Sequence, residues 1–450
     1  MGTVNFVHCV DTEGPLYESL TETFADLQDH FGIELTPSPE NLDRIQRGEG
    51  VPEEIKRAVM GRYSKHRLAY NRDWGMIDRM HEDLFSQEFR SSFCDDFGSS
   101  YRFNWFCLDQ VGFEANPRRR TLGYNLVYER YAELCRLHPQ ALDRLYWHFH
   151  PVAFNRVANC QGLSIQNGNE HLLSLAHRLI DCRHFPAVFR PGYHQEKTDL
   201  NLFLEQWIPF DYANLNGDDH AGREAREYRF IDWRRAPTDW RPYHPSFGSA
   251  DRPGDLRRWI GRTLTLGTNF CSVNKSELVR AFRDAVAEDV LVSVCSHDNR
   301  DMMEEVLELR NLIGAAREEA NTAVPLRFCN AVEGFVRTLK LSAEDPIKLA
   351  CELNGDELKV SVEGRPFGFQ PFFCVRTLTG EYFHDNMSGT GDDGSFFYIF
   401  DKHTVPLAAV EQIGLAATNF VGDVTIAILT PATGDIMNDT ITGLSATEFS

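Results

Sequence analysis

Val4-Asn-Phe-Val-His-Cys-Val-Asp-Thr-Glu-Gly-Pro15 is an apolar run that ends in two carboxylates and a turn. Val4, Phe6, Cys9 and Val10 predict a buried first strand, and Gly14-Pro15 stops it, so Asp11 and Glu13 sit where a strand meets its following loop. In parallel α/β folds that edge is where ligands bind. Residues two apart on an extended chain point to the same side, so Asp11 and Glu13 can share a cation or divide the work of base and ligand. Asp and Gly are also ordinary turn residues, and a turn Asp beside a solvated Glu looks the same in isolation. Partners elsewhere in the chain have to decide the matter.

The chain has 450 residues, enough for two or three units that each bury a core. Lys plus Arg number 46 against 66 Asp plus Glu, a net charge of −20 that repels phosphate backbones and anionic lipid, so nucleic acid is not an expected partner. Eleven cysteines are scattered without a Cys-x-x-Cys pair, which reads as reduced thiols in a reducing compartment. No stretch reaches transmembrane length, and the first strand starts too early for a leader to precede it. The expectation is a cytoplasmic protein with no integral membrane segment.

Beyond the acid loop, residues 17–95 lack strand signals and carry helix-like runs such as the Ser38-Pro39-Glu40 cap, predicting a helical insertion. Tyr70, Trp74 and His81 within it are candidates for a substrate wall or for plain packing. Tyr101–Leu108 predicts a second strand, Tyr124–Leu137 a helix, and Asp143–Pro151 a third strand whose end puts His148 and His150 on one face. Two imidazoles at i and i+2, cut off by Pro151, can chelate Zn²⁺ or a similar ion together with one carboxylate. Leu172–Ile180 predicts a helix, Ala187–Tyr193 a strand and turn with Arg190 at the edge, Leu200–Trp207 a helix, and Phe210–Ala213 a short strand. The stretch from Tyr228 to Pro245 is dense in Arg, Trp and Tyr, side chains that stack on and bond to sugars but also make rigid scaffolding.

Val290–Asp301 repeats the first pattern, a buried strand emptying into His297, Asp298, Arg300 and Asp301, and Met302–Glu319 follows as a helix. This alternation predicts a parallel sheet or barrel over residues 1–338. From about Leu339 short alternating runs (Ile347–Leu353, Glu357–Glu363, Phe372–Arg376, Phe396–Phe400, Ile413–Ala417, Val424–Leu429) predict an antiparallel β-sandwich over 339–450.

In their order, the strand-end motifs resemble those of the polysaccharide deacetylase (NodB-homology, carbohydrate esterase family four) superfamily. Asp11-Thr-Glu13 resembles its first motif, His148-Phe-His-Pro151 the second, Arg190-Pro-Gly-Tyr-His194 the third, Asp239-Trp240 the fourth and Ser296-His-Asp298 the last. The resemblance covers roughly residues 4–301 and implies a distorted (β/α) barrel with a metal-assisted N- or O-deacetylase site. The chain departs from the usual pattern with Asp-x-Glu for paired aspartates, which leaves open whether Asp11 or Glu13 binds metal. It departs again with His-x-His for a wider histidine spacing, which leaves open a changed metal, a changed substrate or a degenerate site.

The expected mechanism has Glu13, His148 and His150 hold a divalent metal, Zn first, with Co, Ni, Fe or Mn as alternatives. Asp11 is the expected general base, Arg190 orients it, the backbone N–H of Tyr193 meets the oxyanion, and His297 protonates the leaving amine with Asp239 or Asp298 holding it. Trp240, Tyr243 and His244 are expected to bind substrate. That substrate is expected to be an acetylated sugar, nucleotide-sugar or lipid-linked saccharide of surface-polysaccharide synthesis. The alternatives are a non-catalytic carbohydrate-binding or assembly protein that keeps the barrel, and a glycoside hydrolase using Asp11 and Glu13. Carboxylates this close on one strand end suit the hydrolase poorly, because glycosidases oppose theirs across the sugar.

Overall fold

The first strand, β1 (Val4–Thr12), is buried at every position because it has a neighbour on both edges and a core on both faces. Val4, Phe6 and Val10 join one apolar cluster, while Val7 and Cys9 join another. The computed structural model describes residues 1–17, 19–65, 68–109, 111–114, 126–157, 162–217, 232–266 and 271–443. In it, β1 is followed by β2 (Phe103–Asp109), β3 (Arg144–Phe149), β4 (Val188–Pro191), β5 (Phe210–Asn214), a small hairpin β6 (Pro245–Ser246) and β7 (Ser249–Pro253), then β8 (Trp259–Thr265), β9 (Val290–His297) and β10 (Leu326–Phe328). The order β1-β2-β3-β4-β5-β8-β9 returns to β1, so seven parallel strands close a barrel. β10 pairs with the first residues of β1, Val4–Phe6, on the edge whose later residues, His8–Thr12, pair with β2.

Between β1 and β2 lie α1 (Leu20–Phe31), α2 (Pro39–Gln46), α3 (Glu53–Arg62), α4 (Trp74–Leu84) and α5 (Gln87–Ser92). Ser19 and Glu22 form a capping box on α1, and the Ser38 side chain caps α2, so local hydrogen bonding starts each helix where Ser precedes an amphipathic run. Phe24, Leu27, Ile45, Val59 and Tyr63 give this insertion a small core of its own. The barrel helices are α6 (Leu126–Leu137), α7 (Glu170–Cys182), α8 (Thr198–Leu204), α9 (Lys275–Asp284) and α10 (Met302–Ala320), and α11 (Ala331–Leu339) follows β10.

Strand β8 was not expected, and the reason is chemical. Its sequence carries Gly261 and Arg262, yet Arg262 is fully buried and spans Glu277 of α9 with Nη1···Oε2 2.8 Å and Nη2···Oε1 2.6 Å. A buried, doubly bonded ion pair lets a charge occupy a core strand.

Helix α11 plugs the N-terminal mouth of the barrel. The Ala331 N–H donates to Asn104 Oδ1 at 2.7 Å, Tyr212 O–H donates to the Ala331 carbonyl at 2.7 Å, and the Phe335 ring stacks on Phe210 at 4.6 Å.

The C-terminal region comprises β11 (Lys348–Asn354), β12 (Glu357–Glu363), β13 (Phe372–Thr377), β14 (Tyr382–Asp385), β15 (Ser388–Gly389), β16 (Ser395–Ile399), β17 (Val410–Thr418), β18 (Val424–Thr430) and β19 (Asp435–Ile441). They form two antiparallel sheets, β11-β12-β16-β15 and β14-β13-β17-β18-β19. Leu349, Leu358, Val360 and Tyr398 of one sheet share a core with Phe373, Val375, Ile413 and Leu415 of the other. The remaining face of the larger sheet (Phe372, Cys374, Ala416, Ile426) is continuous with the barrel cluster that holds Phe185, Trp207 and Phe335. The apolar interior thus runs across the position 338/339. Among the described residues no helix is long and apolar enough to cross a membrane.

Two stability predictions follow from buried groups. At Gly334 of α11 an added Cβ would lie 2.7 Å from Val7 Cγ2 and 2.8 Å from Leu291 Cδ1. Alanine gains about 1 kcal/mol in helix propensity but overpacks the plug at about 1–3 kcal/mol, so Gly334→Ala is expected to lower stability in chemical denaturation. A midpoint at or above wild type would show slack in the mouth. Glu305 of α10 is buried with Oε2 unpartnered, and burial pushes its carboxyl up to about 7 from 4.5. The folded state then binds more protons than the unfolded one between those values, so stability is full below pH 4.5 and falls as pH rises through 7. Glu305→Gln is expected to remove this slope, on the order of 3 kcal/mol; an unchanged pH profile of unfolding would refute the assignment.

Candidate metal centre

Asp11, His148, Arg190 and His297 stand at or near the C-terminal ends of β1, β3, β4 and β9, where the register sets Asp11 beside His297 and His148 beside Arg190. Arg190 has no exposed surface. Its Nε donates to Asp11 Oδ1 at 2.7 Å and its Nη2 to Asp11 Oδ2 at 2.9 Å, a two-pronged pair, while Nη1 donates to the Tyr212 carbonyl at 2.7 Å. Burial by itself would raise the Asp11 carboxyl, but the Arg190 charge, with His148 and His297 beside it, holds it well below the usual carboxylate range.

The same arginine orders the first histidine. His148 Nδ1 lies 3.0 Å from the Arg190 carbonyl oxygen. A carbonyl only accepts, so Nδ1 carries the proton and a neutral His148 presents a bare lone pair at Nε2. That Nε2 lies 2.9 Å from His150 Nε2, and Glu13 Oε1 lies 3.6 Å from the first and 3.4 Å from the second. All three residues are buried, with ligand atoms within 4.8 Å of one another. Two imidazole nitrogens and a carboxylate oxygen converging in a buried space form a donor set that can hold a divalent ion of the Zn class. Asp11, clamped by Arg190, is outside this cluster.

His297 closes the group, with Nε2 4.0 Å from Asp11 Oδ2 and its side chain 28% exposed toward the mouth. Desolvation lowers its pKa against the raising effect of Asp11, so the ring rests neutral. Tyr193 and His194 both adopt left-handed backbone conformations (φ 52 and 51), rare for such side chains, and the Tyr193 ring lies 5.2 Å from His150. The turn that follows Arg190 is therefore held bent over the histidine pair.

Other expected site residues lie elsewhere. The Trp240 carbonyl accepts from Leu291 N at 2.8 Å and the Tyr243 N–H donates to the Ile260 carbonyl at 3.1 Å. Leu291 and Ile260 are the second residues of β9 and β8, so this segment runs along the opposite, N-terminal end of the barrel. Trp240 and Tyr243 are buried there, His244 Nδ1 meets the Arg258 carbonyl at 2.9 Å, and Asp239 is exposed. Asp239, Trp240, Tyr243 and His244 are thus not at this site: an Asp-Trp pair fixes no position along a barrel, and aromatic density served packing. Residues 228–231 of that stretch lie outside the described residues. Asp298 is at the site but in a different role, since its carboxylate accepts from Glu13 N, Gly14 N and Tyr131 O–H rather than serving as a holder of His297. Tyr131 and Asn71 were not foreseen. Tyr131 lies on the apolar face of α6 and Asn71 in irregular chain, where nothing in the local pattern marks them.

No family model matches the chain, and neither a curated protein nor a solved structure does. Fold and site together define an α/β-barrel protein with a buried Glu-His-His cluster able to bind a metal ion.

His148→Ala and His150→Ala are each expected to abolish stoichiometric zinc in elemental analysis while leaving the far-UV spectrum native, because each removes a strand-end ligand rather than core volume. Full metal content in both variants would reject the ligand set.

Proposed function

We propose that this protein is a metal-dependent deacetylase that hydrolyses an acetamido or acetoxy group on a sugar or sugar precursor. The observation that carries the reading is the Glu13–His148–His150 cluster standing at one barrel mouth with an arginine-held Asp11 and with His297 4.0 Å from that carboxylate. Glu13, His148 and His150 would hold a divalent ion, which would supply Lewis acidity toward the acyl carbonyl and a water.

The protein's own groups do the rest. Arg190 keeps Asp11 ionised and aimed, so that its carboxylate takes a proton from the attacking water. His297 Nε2, 4.0 Å from the same carboxylate, would take over the proton that Asp11 removes from the water and deliver it to the departing nitrogen or oxygen. The backbone N–H of Tyr193, in the bent turn beside His150, is the donor for the oxyanion, and the Tyr193 ring is the aromatic wall for the sugar. Burial of the cluster excludes bulk water and strengthens each of these interactions. The glycosidase alternative is weaker, because Asp11 and Glu13 leave the same strand end two residues apart, whereas glycosidases oppose their carboxylates across the sugar.

Acetate release from a panel of acetamido and acetoxy sugars, with and without added zinc, is the direct test. Asp11→Asn is expected to keep metal and lose about 10²–10⁴-fold in rate. His297→Ala is expected to impair amides more than activated acetate esters, since an amine needs protonation to leave and a good alkoxide does not. Equal loss on both substrates would remove His297 from the leaving-group step. Loss of metal from Asp11→Asn, with retention in Glu13→Gln, would exchange the roles of the two acids. A metal-loaded protein that binds saccharides and releases no acetate would be a binding module.

A further inference from the structure

The acid loop makes a sharp turn at Gly14, which is left-handed at φ 71 and packed so closely that an added Cβ would lie 3.0 Å from the Trp74 ring. This turn sends the N–H groups of Glu13 and Gly14 toward one buried carboxylate. Glu13 N donates to Asp298 Oδ1 at 2.9 Å and Gly14 N to Asp298 Oδ2 at 2.9 Å. Tyr131 O–H, on α6, donates to the same Oδ2 at 2.9 Å. Having given its only proton to Asp298, the Tyr131 oxygen accepts from His81 Nε2 of α4, 3.3 Å away. Asn71, just before α4, ties the two loops at the backbone. Its N–H donates to the Asn299 carbonyl (2.8 Å), its Nδ2 to the Asp298 and Arg300 carbonyls (2.9 and 3.0 Å), and its own carbonyl accepts from Leu16 N (3.0 Å).

We propose that Asp298, backed by Tyr131 and His81, is the positioning residue that fixes the acid loop so that Glu13 meets His148 and His150, making ion affinity depend on helices α4 and α6. The inference rests on the cluster being a metal site. Asp298 acts by holding the backbone from which Glu13 projects. Charge-assisted bonds from two consecutive N–H groups and a hydroxyl make that hold stiff. Outer groups of this kind tune affinity by presenting the ligand in its binding geometry, so the cluster need not be assembled at the expense of loop freedom.

The test is a zinc titration against a competing chromophoric chelator, for wild type, Tyr131→Phe and Asp298→Asn, each also in a Glu13→Gln background that keeps both imidazoles. Tyr131→Phe, which deletes one oxygen, is expected to weaken zinc binding about tenfold, and Asp298→Asn about ten- to hundredfold. In Glu13→Gln both effects are expected to shrink toward nothing, because the ligand they position has been removed. A purely structural role would leave the fold-losses the same in both backgrounds, and that result overturns the proposal. Wild-type affinity in Tyr131→Phe and Asp298→Asn overturns it as well, with the metal site itself intact. Should Asp298→Asn fail to fold, Tyr131→Phe decides alone. A wild type that binds no zinc would instead bring down the metal reading, and this inference with it.

Discussion

A guanidinium and a carboxylate, both removed from water, organise the open end of this barrel. Arg190 reaches from β4 to Asp11 of β1 with two hydrogen bonds, to β5 through the Tyr212 carbonyl, and toward β9 through the Cys295 sulfur at 3.0 Å. Desolvating such charges is expensive, and the pair is tolerable only because each donor and acceptor is matched. Taking away one partner strands the other, a loss of about 3–5 kcal/mol. The pair also has a chemical consequence, since the Arg190 carbonyl sets the tautomer of His148 and so decides which ring nitrogen faces Glu13 and His150.

The architecture gives that pair its setting. With α11 packed into one mouth, Asp11, His148, Arg190 and His297 stand where the strands end at the other. Closure leaves no free edge on β1: β9 lines one side, and β10 and β2 share the other. The insertion then covers the outside of the acid loop, where Trp74 touches Gly14 and Asn71 bonds to residues on both sides of the site. The C-terminal sheets extend the same apolar interior, with Phe372 packed 5.1 Å from Phe185. They brace the barrel from the side of α7 and α8, the helices that carry the chain from β3 to β5.

Much of this was legible in the order of residues. The burial of β1 at every position and of nearly all of β9 comes from covering both faces of a parallel strand, and the largely apolar runs that result show in the chain itself. His148 and His150 share a face by strand geometry alone, and Glu13 follows Asp11 by the same rule. Strand β8 was not legible, because Arg262 hides a core strand behind a charge whose partner, Glu277, is on a later helix. The aromatic stretch around Trp240 misled for the converse reason. Its composition suits a sugar wall, yet burial against β8 and β9 satisfies it equally well.

What the sequence determined by itself is local: which segments are strands, which end in acids or imidazoles, and which pairs point the same way, since these depend on backbone geometry over a few residues. It could not choose between Asp11 and Glu13 as the residue facing the histidines, because two positions on one strand end are equivalent until something distant breaks the symmetry. Arg190, 179 residues further on, does so by claiming both oxygens of Asp11, and Asp298, 285 residues from Glu13, turns the following loop so that Glu13 faces the imidazoles. Those choices belong to the tertiary structure, for a buried charge is settled by whichever partner the fold brings within hydrogen-bonding distance, and no spacing along the chain encodes that distance.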